Sequence, residues 1–358
     1  MTDSIDLDRV VADTIHLESL QGAVERLLQQ CHDVGGPACA AIRRVADSVT
    51  CDYHGPLRQL AAFRMYSALS VVMGNYNENR LTDYAAAVAA LDRSRSRGVL
   101  SALDTESVTF RIDPLPDRWA LRDRISAELN WRNEPGDWQV NITRRDDLLL
   151  AQVGALYHSR RFPAMRHVPA STNPIVAALL LQLLKPKSGD VVYDPFCGSG
   201  TLLAEAAAYN DDLVLLGSDL SQPGLAVASS NQRHFSQGLL ICADAAELPV
   251  MANSVGRVVA NIPFGKRVGS HADNVTLYPA FLGELTRVLR PDGRAVLLTE
   301  DKNLFRRSAQ EARGVRLLRE VRLASGGAHP SAFVLERTRT ARRALAKLTV
   351  STTGRQGR

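Results

Sequence analysis

The chain has 358 residues, enough for about two domains, each large enough to bury its own core. With 45% hydrophobic and 23% charged residues, its composition is that of a soluble globular protein and argues against disordered, fibrous or membrane-spanning classes. Lys and Arg (43) outnumber Asp and Glu (38), and a net charge of +5 permits a polyanionic partner without requiring one.

In chain order, residues 17–30 read as an amphipathic segment, and a mixed stretch follows. An Arg-bearing helix is expected around 60–73 and another over 82–92. Residues 108–112 read as a strand, 120–129 as a helix, and 139–142 and 148–153 as further strands, an α+β pattern with a small sheet. Near 160–170 the texture changes to regular alternation of strand and helix, as in a doubly wound sheet. Asn173-Pro174 reads as a cap and first helical residue, opening a helix to about 184. Strands are expected at 190–194, 213–219, 239–244, 255–261 and 294–300, with helices at 201–209, 223–232, 277–289 and 303–312. Residues 315–323 and 332–337 form a closing pair of strands. The stretch 340–358 is basic, without a sustained apolar pattern, and reads as a frayed tail.

The first residues are polar and acidic, unlike a secretory leader, and no apolar run reaches the roughly 18 residues of a membrane helix. A cytoplasmic protein is expected. Of the five cysteines, Cys31, Cys39 and Cys51 fall near His32 and His54, but no CxxC pair is present, so no metal site is expected.

Three signals carry chemistry. The first is Asp194-Pro195-Phe196-Cys197-Gly198-Ser199-Gly200-Thr201, where a buried strand ends, turns sharply and enters a helix. Glycines there let backbone N–H groups approach a ligand, and the helix start favours an anionic group. The lysine of a phosphate loop and the spacing of a dinucleotide fingerprint are both missing. A carboxylate-bearing ligand, such as the methionine end of S-adenosylmethionine, fits better. The bland alternative is a tight turn with no ligand.

The second signal is spacing. Asp219, before Leu220, ends the next strand and is placed to accept from a ribose diol. Asp244, before Ala245, ends the third and is placed to accept from an adenine amino group, with the Ala245 N–H facing a ring nitrogen. Singly, each reads as a solvated strand end or a helix cap; three successive strand-end acids do not.

The third signal is Asn261-Ile262-Pro263-Phe264-Gly265 at the end of the fourth strand. The Asn261 side-chain oxygen and the Ile262 carbonyl can each accept from a planar –NH2. Pro263 shapes the turn, and Phe264 can stack on a base. Two acceptors orient a weakly nucleophilic exocyclic amine and stabilise the positive charge that grows on it. Cys197 invites a nucleophile reading, but it lies in the glycine loop and reads as a packing residue. As a turn alone, Asn261–Gly265 would carry no chemistry.

The segments 194–201 and 261–265 resemble those of the class I amino-methyltransferases. More narrowly they resemble the THUMP-domain RNA guanosine-N2 methyltransferases, especially the tRNA enzymes that modify the acceptor stem at position six. Residues 167–178, with Asn173-Pro174, and Gly326-Gly327-Ala328-His329-Pro330 resemble the same group. The family has Asp or Asn where Asn261 stands; Ile262 replaces the commoner Pro or Leu, which is harmless because only its carbonyl is used. The resemblance is specific over 165–337. It is weaker over 1–160, where Phe63-Arg64, Phe110-Arg111-Ile112 and 138–142 stand where a ferredoxin-like segment and a THUMP module would place theirs.

The resemblance implies an α/β fold class: an N-terminal α+β ferredoxin-like/THUMP-like RNA-binding module over 1–160, then a doubly wound, Rossmann-like class I methyltransferase domain over 161–339, with 340–358 as tail. It implies S-adenosylmethionine as cofactor, held by Asn173, Asp194, Phe196, Cys197, Gly198, Ser199, Gly200, Thr201, Asp219, Leu220, Asp244, Ala245 and Asn261. Transfer would take place at Asn261, Ile262, Pro263 and Phe264, onto N2 of a tRNA guanosine presented by the N-terminal module. Lys266 and Arg267 follow the base-binding turn, and Arg160 and Arg161 lie at the domain junction; these are the candidate RNA contacts, each otherwise a solvated surface charge. A monomer is expected. The competing readings are a ribosomal RNA guanine-N2 enzyme, an adenine-N6 or protein-glutamine methyltransferase, and last a non-catalytic RNA-binding protein.

Overall fold

The computed structural model describes residues 5–77, 80–81, 83–157, 165–169, 171–235, 238–264, 270–324 and 327–338. It divides into two units, Met1–Ala164 and Met165–Arg358.

The first unit begins with β1 (Val10–Glu18), α1 (Val24–Gln30), β2 (Cys39–Val45), β3 (Ser48–Pro56), α2 (Leu57–Ala61) and β4 (Ala68–Asn77). These pair antiparallel in the order β2-β3-β1-β4, the βαββαβ arrangement of a ferredoxin-like sheet. After β5 (Arg80–Leu81) and α3 (Tyr84–Ala90) come β6 (Thr109–Ile112), α4 (Arg118–Leu129), β7 (Arg132–Asn133), β8 (Val140–Arg145) and β9 (Leu148–Val153). Strand β9 pairs antiparallel with β4, and β8, β6 and β7 follow it outward, so one sheet runs through the unit.

Two expectations are corrected here. The segment expected to be continuously amphipathic over 17–30 is split: β1 runs through Glu18, and the helix starts only at Val24. The helix expected over 60–73 stops at Ala61, and Ala68–Asn77 is a strand held between β1 and β9. In both places partners distant in sequence supply the ladder, and they override a local apolar pattern that a helix would also satisfy.

The second unit opens with α5 (Pro174–Leu184), whose Asn173 cap accepts from the Ile175 N–H at 2.9 Å. There follow β10 (Val191–Asp194), α6 (Thr201–Tyr209), β11 (Val214–Asp219), α7 (Gln222–Ser230), β12 (Gly238–Cys242) and β13 (Val255–Asn261). The unit closes with α8 (His271–Val288), β14 (Leu289–Thr299), α9 (Lys302–Glu311), β15 (Val315–Arg322) and β16 (Ser331–Arg337). The sheet order is β12-β11-β10-β13-β14-β16-β15, parallel as far as β14 and antiparallel beyond it. Sequence order reverses between β10 and β13, which makes the carboxyl ends of these strands the natural ligand crevice.

The helix expected from 277 starts a turn and a half earlier, at His271, behind a capping box between Ser270 and Asp273. Pro279 sits inside it. The Val275 carbonyl loses its helical donor to that proline, and the helix continues through it. At the opposite sheet edge, buried Asp190 ties β10 to β13 and β14 through Arg257 (3.3 Å) and Arg290 (2.6 Å). Tyr278, Phe305 and Phe333 pack on one another beside this sheet, at ring separations of 5.6 and 4.6 Å. Among the described residues, no helix is long and apolar enough to cross a membrane.

Candidate active site

The four sequence-predicted strand ends meet along one edge of the second sheet. Strands β12, β11, β10 and β13 are neighbours and run parallel, so the Asp244 turn, Asp219, the glycine loop and Asn261 all emerge on the same side.

The loop after β10 is bolted in place. The Cys197 N–H donates to the Ser218 carbonyl at 2.9 Å, and Gly200 N–H to the Cys197 carbonyl at 2.7 Å. The Ser199 carbonyl accepts from Asn231 Nδ2 at 2.9 Å, and the Ser199 hydroxyl lies 2.9 Å from that of Ser171 and 3.3 Å from that of Thr201. Gly198 and Gly200 have φ of +48° and +82°, the left-handed region that glycine enters without strain. At Gly200 space is a second constraint, because a Cβ would stand 2.8 Å from the Phe235 ring. Phe196 packs edge-on against Phe281, with centroids 5.1 Å apart.

Asp194 is buried, and one of its oxygens accepts from the Phe196 N–H at 3.0 Å. Burial pushes its carboxyl well above the usual carboxylate range; the Phe196 bond opposes this, and the charge of Asp219 adds to it. Burial, with the neighbouring carboxylates, also raises the Cys197 thiol, which keeps it protonated and unsuited to nucleophilic attack. Asp219 accepts from the Gly198 N–H through Oδ2 and from the Ser221 N–H through Oδ1, both at 2.8 Å. Each of these oxygens has a second lone pair that a diol can use. Beside it Leu220 is 70% exposed, an apolar surface at a strand end where a flat ring can lie. Asp244 is exposed and accepts from the Ala246 N–H at 2.8 Å, while Ala245 is buried. Asn173 lies just before α5, its side-chain oxygen engaged as the cap.

At the end of β13, Asn261 Nδ2 donates to the Thr172 hydroxyl at 3.0 Å. The Ile262 N–H donates to the Leu298 carbonyl at 3.0 Å, one step beyond the β13–β14 ladder. A proline in its place would lack this bond. The Pro263 carbonyl accepts from the Tyr278 hydroxyl at 2.6 Å and from Asn274 Nδ2 at 3.1 Å. Phe264 is half-buried at the end of the turn. Gly265, Lys266 and Arg267 lie outside the described residues, as do Arg160, Arg161 and the tail over 340–358. Thr172, Asn274 and Tyr278 were not among the expected site residues.

Glycine cradle, strand-end acids and amide turn stand on four adjacent strands, and residues 163–331 match the family model described as RMKL-like, methyltransferase domain. Over those residues the second unit is similar to RMKL-like methyltransferase domains. A mouse protein named tRNA (guanine(6)-N(2))-methyltransferase THUMP3 is 35% identical over 233 residues, which cover 60% of this chain and 46% of the relative. A Thermus thermophilus tRNA (guanine(6)-N2)-methyltransferase is 34% identical over 209 residues, 56% of this chain and 59% of its own. The chain thus spans about half the length of the curated relatives it matches. The crystal structure of TrmN from Thermus thermophilus has the same fold: TM-score 0.70, 24% identity, covering 91% of this chain and 99% of that one.

Cys31, Cys39 and Cys51 are buried and carry free thiols. Among the described residues no group of His, Cys, Asp and Glu is arranged to hold a metal ion.

Proposed function

We propose that the chain is an S-adenosylmethionine-dependent methyltransferase acting on the exocyclic N2 of a tRNA guanosine, with the acceptor-stem position six of its named relatives as the target. The observation that carries the reading is adjacency. The Asn261–Phe264 turn and the glycine loop leave neighbouring strands, β13 and β10, at the same edge.

The residues present fit the cofactor. Asp219 offers two acceptors to a ribose diol, exposed Leu220 a surface for the adenine ring, and Asp244 with Ala245 the polar edge beyond it. Gly198, Ser199 and Gly200, with Phe196, Cys197 and Thr201 behind them, form the cradle for the amino-acid end. Asp194 is a buried acid that a cationic group would draw into its ionised form. Asn173 acts from the start of α5, by capping it. When bound, S-adenosylmethionine supplies an electrophilic methyl carbon on a sulfonium sulfur, which departs as a neutral thioether.

The protein's own part is orientation. Asn261 Oδ1 and the Ile262 carbonyl accept from the amine N–H groups, which aims the nitrogen lone pair at the methyl carbon. Both are preorganised dipoles, and they stabilise the charge that develops on nitrogen. That nitrogen sheds its proton once the C–N bond has formed, so a strong base is not required. Phe264 stacks on the guanine, a contact worth about 1–3 kcal/mol. Pro263 sets the turn.

The first unit, as a ferredoxin-like/THUMP-like module, grips the RNA in this reading. Lys266 and Arg267 of the second unit, with Arg160 and Arg161 of the first, are the proposed phosphate contacts, and the protein works as a cytoplasmic monomer. Mass spectrometry of tRNA nucleosides from a deletion strain tests the function. Loss of N2-methylguanosine is expected. An unchanged N2-methylguanosine level with loss of N6-methyladenosine would move the reaction to a different amine.

A further inference from the structure

Asn274 and Tyr278 lie one turn apart on α8 and are both 0% exposed. Each donates to the Pro263 carbonyl, Tyr278 from its hydroxyl at 2.6 Å and Asn274 from Nδ2 at 3.1 Å. Asn274 Nδ2 is also 3.2 Å from the Tyr278 oxygen. That oxygen lies 2.8 Å from the hydroxyl of Thr299, at the end of β14, which in turn accepts from the Asp301 N–H at 3.1 Å. A chain of hydrogen bonds therefore runs from the end of β14, through helix α8, to the turn after β13.

The cost of this network argues that it has a purpose. Both polar side chains are wholly buried, Tyr278 inside an apolar cluster with Phe281, Leu282 and Phe305, where Leu and Phe at the two positions would avoid the desolvation. What an apolar pair could not do is satisfy the Pro263 carbonyl. With two donors on it, both lone pairs of that carbonyl are used. It is withdrawn from recognition of a substrate amine, and that task passes to the preceding residues. The Tyr278 hydroxyl stays protonated, since burial raises it far above its ordinary value.

We propose that Asn274 and Tyr278 are positioning residues of the transfer site: by clamping the Pro263 carbonyl they hold the Asn261–Phe264 turn in its productive shape before the amine arrives. The clamp acts together with two further anchors, Asn261 Nδ2 on Thr172 and the Ile262 N–H on Leu298. Its consequence for rate rests on the methyl-transfer reading above; its consequence for the turn does not.

The test uses the full chain with Tyr278→Phe, which removes one oxygen and keeps the ring, and Asn274→Asp, which sets an oxygen in place of Nδ2. Thr299→Ser, which retains the hydroxyl, is the conservative control. Hydrogen exchange at the Ile262 and Phe264 amides is read against residues 255–260 of β13. In parallel, single-turnover methyl transfer to tRNA and S-adenosylmethionine affinity are measured. Losing one neutral hydrogen bond should speed exchange at the turn about fivefold to tenfold, with β13 unchanged. Transfer should slow about tenfold while cofactor affinity stays within about twofold, and Thr299→Ser should match the wild type in both readouts. Wild-type exchange and rate in both Tyr278→Phe and Asn274→Asp would overturn the clamp. So would faster exchange spread evenly through β13 and β14, which would make the pair core residues only. If the wild-type protein transfers no methyl to tRNA, the proposed function fails, while exchange at the turn still decides the clamp.

Discussion

Asp194 and Asp219 sit at adjacent strand ends, yet their surroundings give them different tasks. Burial raises Asp194 well above the ordinary carboxylate range, so the folded protein binds its proton more tightly than the unfolded chain does. Its contribution to stability is therefore complete below the unfolded carboxyl range and is lost as pH rises through the raised folded value. A cationic ligand reverses the preference. Binding of S-adenosylmethionine should release a proton, and affinity should strengthen with pH between those two limits. Calorimetry in buffers of different ionisation heat reads this directly, and a pH-independent affinity with no proton release would contradict it. Asp219→Ala should weaken cofactor binding about 10- to 100-fold, the loss of one or two charge-assisted bonds; wild-type affinity would remove the ribose assignment. In the first unit, burial lowers His16 to about 4. The unfolded chain takes up a proton below about 6.5 that the folded unit refuses, so stability should fall from pH 6.5 and level off near 4, by about 3 kcal/mol. Denaturant titrations of wild type and His16→Gln check this, the variant being expected to lose most of that slope. At this scale the strand-end acids and the amide turn were legible because their spacing follows strand ends. Asn274 and Tyr278 were not. Their i, i+4 spacing is a usable signal, but a helix begun at 277 leaves Asn274 outside it.

Elements of the second unit could be read closely because parallel strands covered on both faces are short apolar runs, such as Val191–Asp194 and Val255–Asn261, bounded by Gly, Pro and Asp. In the first unit the elements from α3 to β9 could also be read, but those before them could not. In β1 the buried run Ile15-His16-Leu17 breaks the alternation of a half-buried strand, and β4 is a strand only because β1 and β9 flank it. The strand–turn–helix around Gly200 gives a direct test. Gly200→Ala combines a φ of +82° with a Cβ 2.8 Å from Phe235, so it should cost about 1–3 kcal/mol and weaken cofactor binding as well. A variant as stable as wild type in thermal unfolding would show that the turn relaxes freely. Asp190→Ala acts at the other edge of the sheet. It takes the carboxylate from Arg257, whose side chain is 8% exposed and keeps only backbone carbonyls as partners, and should cost about 3–5 kcal/mol while leaving cofactor affinity in the folded fraction unchanged.

For the molecule as a whole, a net charge of +5 sets an expectation for RNA that the small ligand does not share. RNA affinity should fall linearly on a log–log plot with salt, by about 0.7–0.9 per phosphate neutralised, while S-adenosylmethionine affinity should hardly move. A salt-independent RNA affinity would argue against phosphate contacts from the basic residues. In the proposed reading the reaction is more legible than the RNA: the transfer turn and the glycine loop are two short motifs, whereas RNA contacts would be spread over arginines whose individual roles sequence spacing does not encode. In the proposed function cofactor and amine are held by different strand ends, so that the two can be separated. Asn261→Ala tests it most directly, by measuring S-adenosylmethionine affinity and single-turnover methyl transfer to tRNA on the same preparation. Affinity is expected within about threefold of wild type, and transfer slowed at least about a hundredfold. Parallel loss of both, or transfer at the wild-type rate, would contradict it.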